Sequence, residues 1–474
     1  MNALWTSHAM AAAMGAESAG MLPEPVTGLS IDSRSIRPGE AFFAIKGDAH
    51  DGHDFAAAAL RAGAALAVVA PGRVELPADA PLLVVGDVLD GLIALAGAAR
   101  ARSHAKIVAV TGSVGKTSTK EALRLALGAD GETHASVASF NNHWGVPLSL
   151  ARLPASARYG VFEIGMNHAG EITPLTRLLR PHIAIVTTVA PVHLEYFGSE
   201  EAIADAKAEI LLGIEPGGTA VLNRDNRHFQ RLLDHAARSE HALHVVSFGE
   251  HELADARLLA CSLRADCSTV EADILGERVT YKIGAPGRHL VDNSLAVLAT
   301  ASLAGADLAL AALALAEQAP AAGRGARIAL EVPGGTATVI DESYNANPVS
   351  MRAALALLGA SPVGARGRRI AVLGDMLELG PAGRELHRDL AQAVIDNDVD
   401  LVFCAGPLMH ELWQALPSER RGGYAQTAAA LQGAVLSAVA NGDVIMIKGS
   451  NGSRMGPIVK ELARHFTTPE PAQG

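Results

Sequence analysis

The chain has 474 residues, too many for one ordinary hydrophobic core, so two to four domains are expected and three fit best. Hydrophobic residues make up 49%, charged residues 19% and aromatics only 4%, so the cores must be built mainly from Ala, Val, Leu and Ile. A formal net charge of −11, with no basic run, argues against a surface made to neutralise nucleic-acid phosphates and points to small substrates.

The first twenty residues, MNALWTSHAMAAAMGAESAG, lack the basic start of a signal peptide, and Ser7, His8 and Glu17 interrupt any apolar core. A short amphipathic helix is expected there. No segment reaches the roughly 18 consecutive apolar residues of a membrane span. Cys261, Cys267 and Cys404 make neither a disulfide framework nor a C-x-x-C metal pattern, so a cytoplasmic chain with reduced thiols and no zinc is expected. Residues 1–85 carry short strands (GLSIDSR, AFFAIKG, AALAVVA) punctuated by Pro and Gly, and read as a small N-terminal α/β domain joined onward through PLLVVGDVLDGLIALA.

From Lys106 the runs KIVAVTG, YGVFEIG, HIAIVTTV and GGTAVLNRD alternate with Ala/Leu-rich helical stretches. Fully apolar strands separated by helices form a mostly parallel sheet covered on both faces, giving a central nucleotide-binding domain over 86–322. An Ala/Leu helix ends at Pro320 and a Gly-Arg-Gly turn follows, which places a hinge at 320–326. Beyond it ATVIDESYN, RRIAVLGDM, DLVFCAG and DVIMIKGS repeat the strand-then-helix order, the mark of a second, Rossmann-like domain over 323–474.

The stretch IVAVTGSVGKTSTKEAL has a strand, a Gly-containing loop and a helix whose first turn holds Thr117, Ser118 and Thr119. Backbone N–H groups of residues 112–118 (Gly112, Ser113, Val114, Gly115, Lys116, Thr117, Ser118) and the Lys116 ammonium are placed to hold phosphate, and Thr117 offers a hydroxyl to Mg²⁺. The match is imperfect, because Val110 stands where G-x-x-x-x-G-K-[ST] has its first glycine. Glu163 ends the otherwise apolar run YGVFE. Alone it reads equally as an edge-strand residue, but a carboxylate at the carboxyl end of a parallel strand beside a phosphate loop suits Mg²⁺. His193 follows the next strand at the same sheet edge; such a histidine is commonly structural, and here the metal or phosphate site is the better reading. Lys207, between Asp205 and Glu209 in a helical stretch, reads locally as a solvated lysine. No N-K-x-D motif of a GTP switch is present.

Taken together these residues resemble the Mur ligase family, the ATP-dependent amide-forming ligases of peptidoglycan precursor synthesis, whose loop pattern T-G-x-x-G-K-[ST] Thr111 to Thr117 match. The stretches DSRSIRPGEAFFAIKG, FNNHWGVPLSL, EIGMNHAGEI, APVHLEYFGS, DESYNANPVSM, VLGDMLELG and IKGSNGSRM extend the resemblance over nearly the whole chain. They are most similar to the member that joins D-Ala-D-Ala to UDP-N-acetylmuramoyl-tripeptide, and the D-N-P-R-type motif of the diaminopimelate-adding member is absent.

The resemblance implies ATP and Mg²⁺ as cofactors, these two substrates as partners, and a monomeric chain without nucleic acid or membrane insertion. It implies that Lys116 and the loop bind the β- and γ-phosphates, that Thr117, Glu163 and His193 surround Mg²⁺, and that Lys207 is the lysine often carbamylated. Asn293 would contact adenine, its alternative being a helix N-cap. Arg324 would reach the γ-phosphate on domain closure. Ser33, Arg34 and Lys46 would hold the uridine diphosphate end, Asn141 and Asn142 the substrate at the central cleft, and Tyr344, Asn345 and Asn347 the substrate in the C-terminal domain. Two departures stand out: Glu342 where the family often has Asp, and Ala322 where its hinge has Pro.

Overall fold

A computed structural model describes residues 3–47, 50–137, 140–192, 194–320 and 323–466. It contains three sheets formed in succession along the chain. The first comprises β1 (Glu17–Ala19), β2 (Gly28–Ser30), β3 (Glu40–Phe43), β4 (Leu66–Val69) and β5 (Leu82–Val84), ordered β1-β5-β4-β3-β2 and parallel except for the β1–β5 pair. The expected N-terminal helix forms over Ser7–Met14 and buries Met10.

The second sheet comprises β6 (Lys106–Thr111), β7 (Thr133–Ala135), β8 (Tyr159–Glu163), β9 (Ile183–Val186), β10 (Thr219–Asn223), β11 (His244–Gly249), β12 (Ala256–Leu263), β13 (Ser268–Ile274) and β14 (Glu277–Ile283). Their order is β14-β13-β12-β11-β10-β9-β6-β8-β7. The seven strands from β7 across to β12 are parallel and the β12–β13–β14 end is an antiparallel meander. Burial follows that division. Strands β8 and β9 are buried at every position, whereas β13 alternates, as a sheet with one wet face must.

In β6, Ile107 and Ala109 enter one core and Val108 and Val110 the other. The helix Val88–Arg102 covers the first face and Arg288–Leu303 the second. Leu29, Phe43, Val68 and Leu83 of the first sheet belong to that first core too, so the N-terminal unit shares apolar surface with the central sheet.

The third sheet comprises β15 (Ala326–Val332), β16 (Gly335–Glu342), β17 (Arg369–Gly374), β18 (Leu401–Ala405), β19 (Arg421–Ala425) and β20 (Val444–Lys448), ordered β15-β16-β20-β17-β18-β19. Only the β15–β16 hairpin is antiparallel. The carboxyl ends of β16 and β20, at Glu342 and Lys448, face the same cleft as those of β6 and β8. In parallel sheets that edge is where ligands bind.

The opposite edge of the third sheet is given to stability. Asp443, fully buried, accepts from the Arg368 backbone N–H at 2.9 Å, the Arg368 guanidinium at 2.7 Å and the Ala440 N–H at 2.9 Å. Asp443→Ala strands those donors and is expected to lower the unfolding free energy by about 3 kcal/mol, measured by urea titration. A loss under 1 kcal/mol would contradict this.

Candidate active site

Strand β6 runs to Thr111, one residue beyond Val110, and only then does the chain turn. Val110 is therefore a buried strand residue paired with Glu163 of β8, and a glycine there would serve nothing. The turn needs its glycines later. Gly112 has φ of 151° and a Cβ there would lie 1.9 Å from Thr187 Oγ1; Gly115 has φ of 89° and a Cβ would lie 2.6 Å from Asn293 Nδ2. The loop between them is braced by Ser113, whose N–H donates to Thr188 O and whose hydroxyl donates to Ala190 O, and by Thr187, whose hydroxyl donates to Val114 O.

The helix that follows, Lys116–Gly128, has no side-chain cap, so its first N–H groups open into the cleft. Lys116 Nζ donates to Gly112 O at 2.7 Å. Thr117 Oγ1 donates to Glu163 Oε2 at 2.8 Å, and Asn141 Nδ2 donates to Glu163 Oε1 at 2.7 Å. Glu163 is 1% exposed, and each of its oxygens accepts from one of these donors. Strand β8 is interior, flanked by β6 and β7, which removes the edge-strand reading of Glu163.

Burial pushes the Lys116 ammonium below the usual lysine range; Glu163 partly offsets this and Arg324 adds to it. Lys207 differs from its local reading. It is 2% exposed in the helix Glu200–Ala208, and burial, with Lys116 nearby, drives its ammonium well below the usual range. The neighbouring acids are committed elsewhere. Asp205 pairs with Arg231 at 2.6 Å and His235 at 2.7 Å, which hold it down to about 2, and Glu209 accepts from the N–H groups of Gly170 and Thr173. Lys207 is thus a buried cation beside another cation.

Arg324 approaches from the C-terminal side. It sits between Gly323 and Gly325, both left-handed with φ of 73° and 96°, and its guanidinium lies 4.0 Å from the centre of the Tyr344 ring. Asp341 fastens this turn by accepting from Gly323 N–H with its carboxylate and from Gly325 N–H with its carbonyl, while it also holds Ser343. Ala321 and Ala322, in the expected hinge, lie outside the described residues, as does His193.

The cleft so formed has a volume of about 320 Å³. It brings together Ser113–Ser118, Asn141, Glu163, Arg324, Tyr344, Asn345 and Asn347 of the expected set. Asn293 is inside the helix Arg288–Leu303, whose cap is Gly287, so the N-cap alternative is excluded and its amide lies against Gly115. Asn142 accepts from Gly145 N–H and Asn347 caps the helix Pro348–Gly359, so both side chains are occupied locally. Ser33, Arg34 and Lys46 are in the N-terminal unit; Arg34 is exposed and paired to Asp32, and Lys46 precedes Gly47, which packs against Trp144.

One site residue was missed by the sequence reading. Lys448 ends β20, is 3% exposed, and reaches Glu342 at 3.2 Å and Asn345 O at 2.9 Å. A charge ending an apolar strand, the signal that marks Glu163, marks it too.

The donors suit a hard cation and a polyphosphate. A carboxylate oxygen and a hydroxyl meet at the head of a helix with open N–H groups, and hard cations take oxygen ligands. Among the described residues no group of three His, Cys, Asp or Glu is arranged to hold a metal, and magnesium shared with phosphates needs only one or two carboxylates.

Curated relatives match nearly end to end. The UDP-N-acetylmuramoyl-tripeptide--D-alanyl-D-alanine ligase of Escherichia coli (strain K12) is 34% identical over 93% of this chain and 94% of its own length. That of Rickettsia prowazekii is 31% identical over 96% and 99%. The chain belongs to the Mur ligase family.

Three Mur ligase family models fall along it in order: Mur ligase family, catalytic domain, at 25–112; Mur ligase middle domain at 110–301; and Mur ligase, glutamate ligase domain, at 323–451. Among solved Mur ligases, MurF from Acinetobacter baumannii superposes with a TM-score of 0.83 at 27% identity, covering 97% of this chain and 99% of that one. MurF from Thermotoga maritima, solved in complex with ADP, gives 0.74 at 26% identity, covering 92% and 98%.

Lys207, buried and without a hydrogen-bond or ion-pair partner among the described residues, generates a test. Its folded-state pKa is lowered, so the unfolded chain binds more protons between that value and about 10.4, and stability rises with pH across this window. In buffer free of carbon dioxide, Lys207→Met is expected to stabilise the chain by about 2 kcal/mol at pH 7, an advantage that shrinks toward pH 10. Chemical denaturation at both pH values measures it; a destabilised Met variant at pH 7 would contradict the assignment.

Proposed function

We propose that this chain is an ATP-dependent amide ligase that joins D-alanyl-D-alanine to UDP-N-acetylmuramoyl-tripeptide, the last cytoplasmic step in making the pentapeptide precursor of peptidoglycan. The observation that carries the reading is the cleft in which the phosphate loop and Glu163 face Arg324 and the Tyr344–Asn347 loop. The relatives that match end to end bear the name of this activity.

A carboxylate and an amine do not condense in water, because oxide is a hopeless leaving group. In the proposed reaction a carboxylate oxygen of the third peptide residue attacks the γ-phosphorus of ATP. The bond from that phosphorus to the bridging oxygen breaks, and ADP departs with the electron pair. The amine of D-Ala-D-Ala then adds to the acyl carbon, loses a proton, and expels phosphate carrying the former carboxylate oxygen.

Lys116 and the N–H groups of the loop hold the phosphates, Arg324 neutralises charge gathered on the transferring group, and Asn293 lies at the nucleoside end of the loop. Thr117, Glu163 and His193 would hold Mg²⁺, which when bound supplies charge neutralisation to the phosphates. A carbamate on Lys207 would turn the buried cation into an anion and relieve its conflict with Lys116. Ser33, Arg34 and Lys46 face the uridine diphosphate end, Asn141 and Asn142 the peptide, and Tyr344, Asn345 and Asn347 the incoming dipeptide. No side-chain nucleophile is required. Closure of the cleft keeps water from the acyl phosphate.

The test is ADP release from the tripeptide nucleotide with D-Ala-D-Ala or with single amino acids as acceptor. Turnover with the dipeptide and at least 100-fold less with D-Ala, diaminopimelate or lysine is expected. Turnover sustained by a single amino acid alone would overturn the assignment.

A further inference from the structure

The helix that begins with Lys116 carries a second lysine one turn on, Lys120, to which the mechanism above assigns nothing. Its side chain is wholly buried. Nζ donates to the backbone carbonyl of Ser136 at 2.7 Å and pairs with Glu121 Oε1 at 2.8 Å, while the other oxygen of Glu121 accepts from Arg124. Burying an ammonium is costly even when it is paired, and an apolar side chain of similar length would fill the slot without that cost. The position asks what the charge is for.

Ser136 follows β7 and continues its pairing, its N–H donating to Val161 O of β8. Five residues later the same segment presents Asn141, whose amide donates to Glu163 Oε1 and whose carbonyl accepts from Gly165 N–H at 2.8 Å. Glu163 Oε2 in turn accepts from Thr117, on the helix that carries Lys120. The contacts join two residues five apart in sequence to the same helix: Lys120 holds Ser136, Asn141 holds Glu163, and Glu163 accepts from Thr117, one turn before Lys120.

We infer that Lys120 is a positioning residue for the metal-binding carboxylate. It ties Ser136, five residues before Asn141, to the phosphate-loop helix, so that Asn141 holds Glu163 in the rotamer that Thr117 also engages. A polar charge-assisted anchor suits this task because it fixes a backbone atom in one direction, which apolar packing does not. Its side chain is wholly buried, and in this reading it acts through Asn141 and Glu163. The inference rests on the reading of Thr117 and Glu163 as Mg²⁺ ligands.

The test reads metal affinity rather than turnover: free Mn²⁺ is followed by electron paramagnetic resonance in the full chain with ADP present. The wild type is expected to take up Mn²⁺ in an ADP-dependent manner. Lys120→Met is expected to weaken that affinity at least tenfold in protein that still unfolds cooperatively, and Lys120→Arg, which keeps a cationic donor, to recover it to within threefold. Asn141→Ala is expected to weaken it similarly, and the double variant K120M/N141A to be no weaker than N141A alone, since both act on one path.

If Lys120→Met does not fold, Lys120→Gln takes its place with the same readout. Metal affinity within twofold of wild type in a folded neutral variant, multiplying effects in the double variant, or neutral variants that lose folding alone would each overturn the inference, leaving Lys120 a structural lysine. Absence of ADP-dependent Mn²⁺ uptake by the wild type would instead sink the metal reading, and the inference with it.

Discussion

The cluster at the floor of the cleft sets the terms for what surrounds it. Lys116, Lys207 and Arg324 bring three cations to the neighbourhood of one buried carboxylate, Glu163, in a region where charges are poorly screened. Without an anion the lysines are held below their usual range; a polyphosphate would favour their charged forms, and a carbamate on Lys207 would favour that of Lys116. An excess of positive charge at this site favours an anionic ligand. A pair of anionic and cationic side chains in balance would have been more stable and less useful.

The fold sustains that excess by commitment of backbone and neighbours. Parallel strands β6 and β8 bring Val110 and Glu163 side by side, so the carboxylate reaches the head of the next helix without any loop having to place it. Glycines at 112 and 115 let Thr187 and Asn293 press against the loop, and Asp341 fastens the Gly-Arg-Gly turn that carries Arg324. The acids near Lys207 face outward to Arg231, His235 and the Gly170–Thr173 turn. The carboxyl ends of two sheets then meet over one cleft, which lets a group activated on one side be met by an acceptor from the other.

Much of this was legible from the residues. Apolar strands, the loop GSVGKTS, and charges ending apolar runs carry strong local signals because full burial on both faces leaves little choice of residue. The antiparallel strands β12 to β15 were not read: their alternate residues face water, and the polar positions dilute the pattern. Lys207 could not be read correctly either. Its burial depends on where Asp205 and Glu209 find partners, and those partners, Arg231, His235 and the turn at Gly170–Thr173, are far along the chain. The local roles of Asn142, which accepts from Gly145 N–H, and of Asn347, which caps the following helix, are evident only in three dimensions.

Activation of a carboxylate by phosphorylation in the cleft is read most directly by isotope transfer. With ¹⁸O in the terminal carboxylate of the tripeptide nucleotide, unlabelled ATP and D-Ala-D-Ala, the phosphate released is examined by ³¹P nuclear magnetic resonance for its isotope shift. An acyl phosphate requires one ¹⁸O atom to pass from the carboxylate to phosphate in each turnover. Unlabelled phosphate, formed while the amide bond is made, would contradict the account.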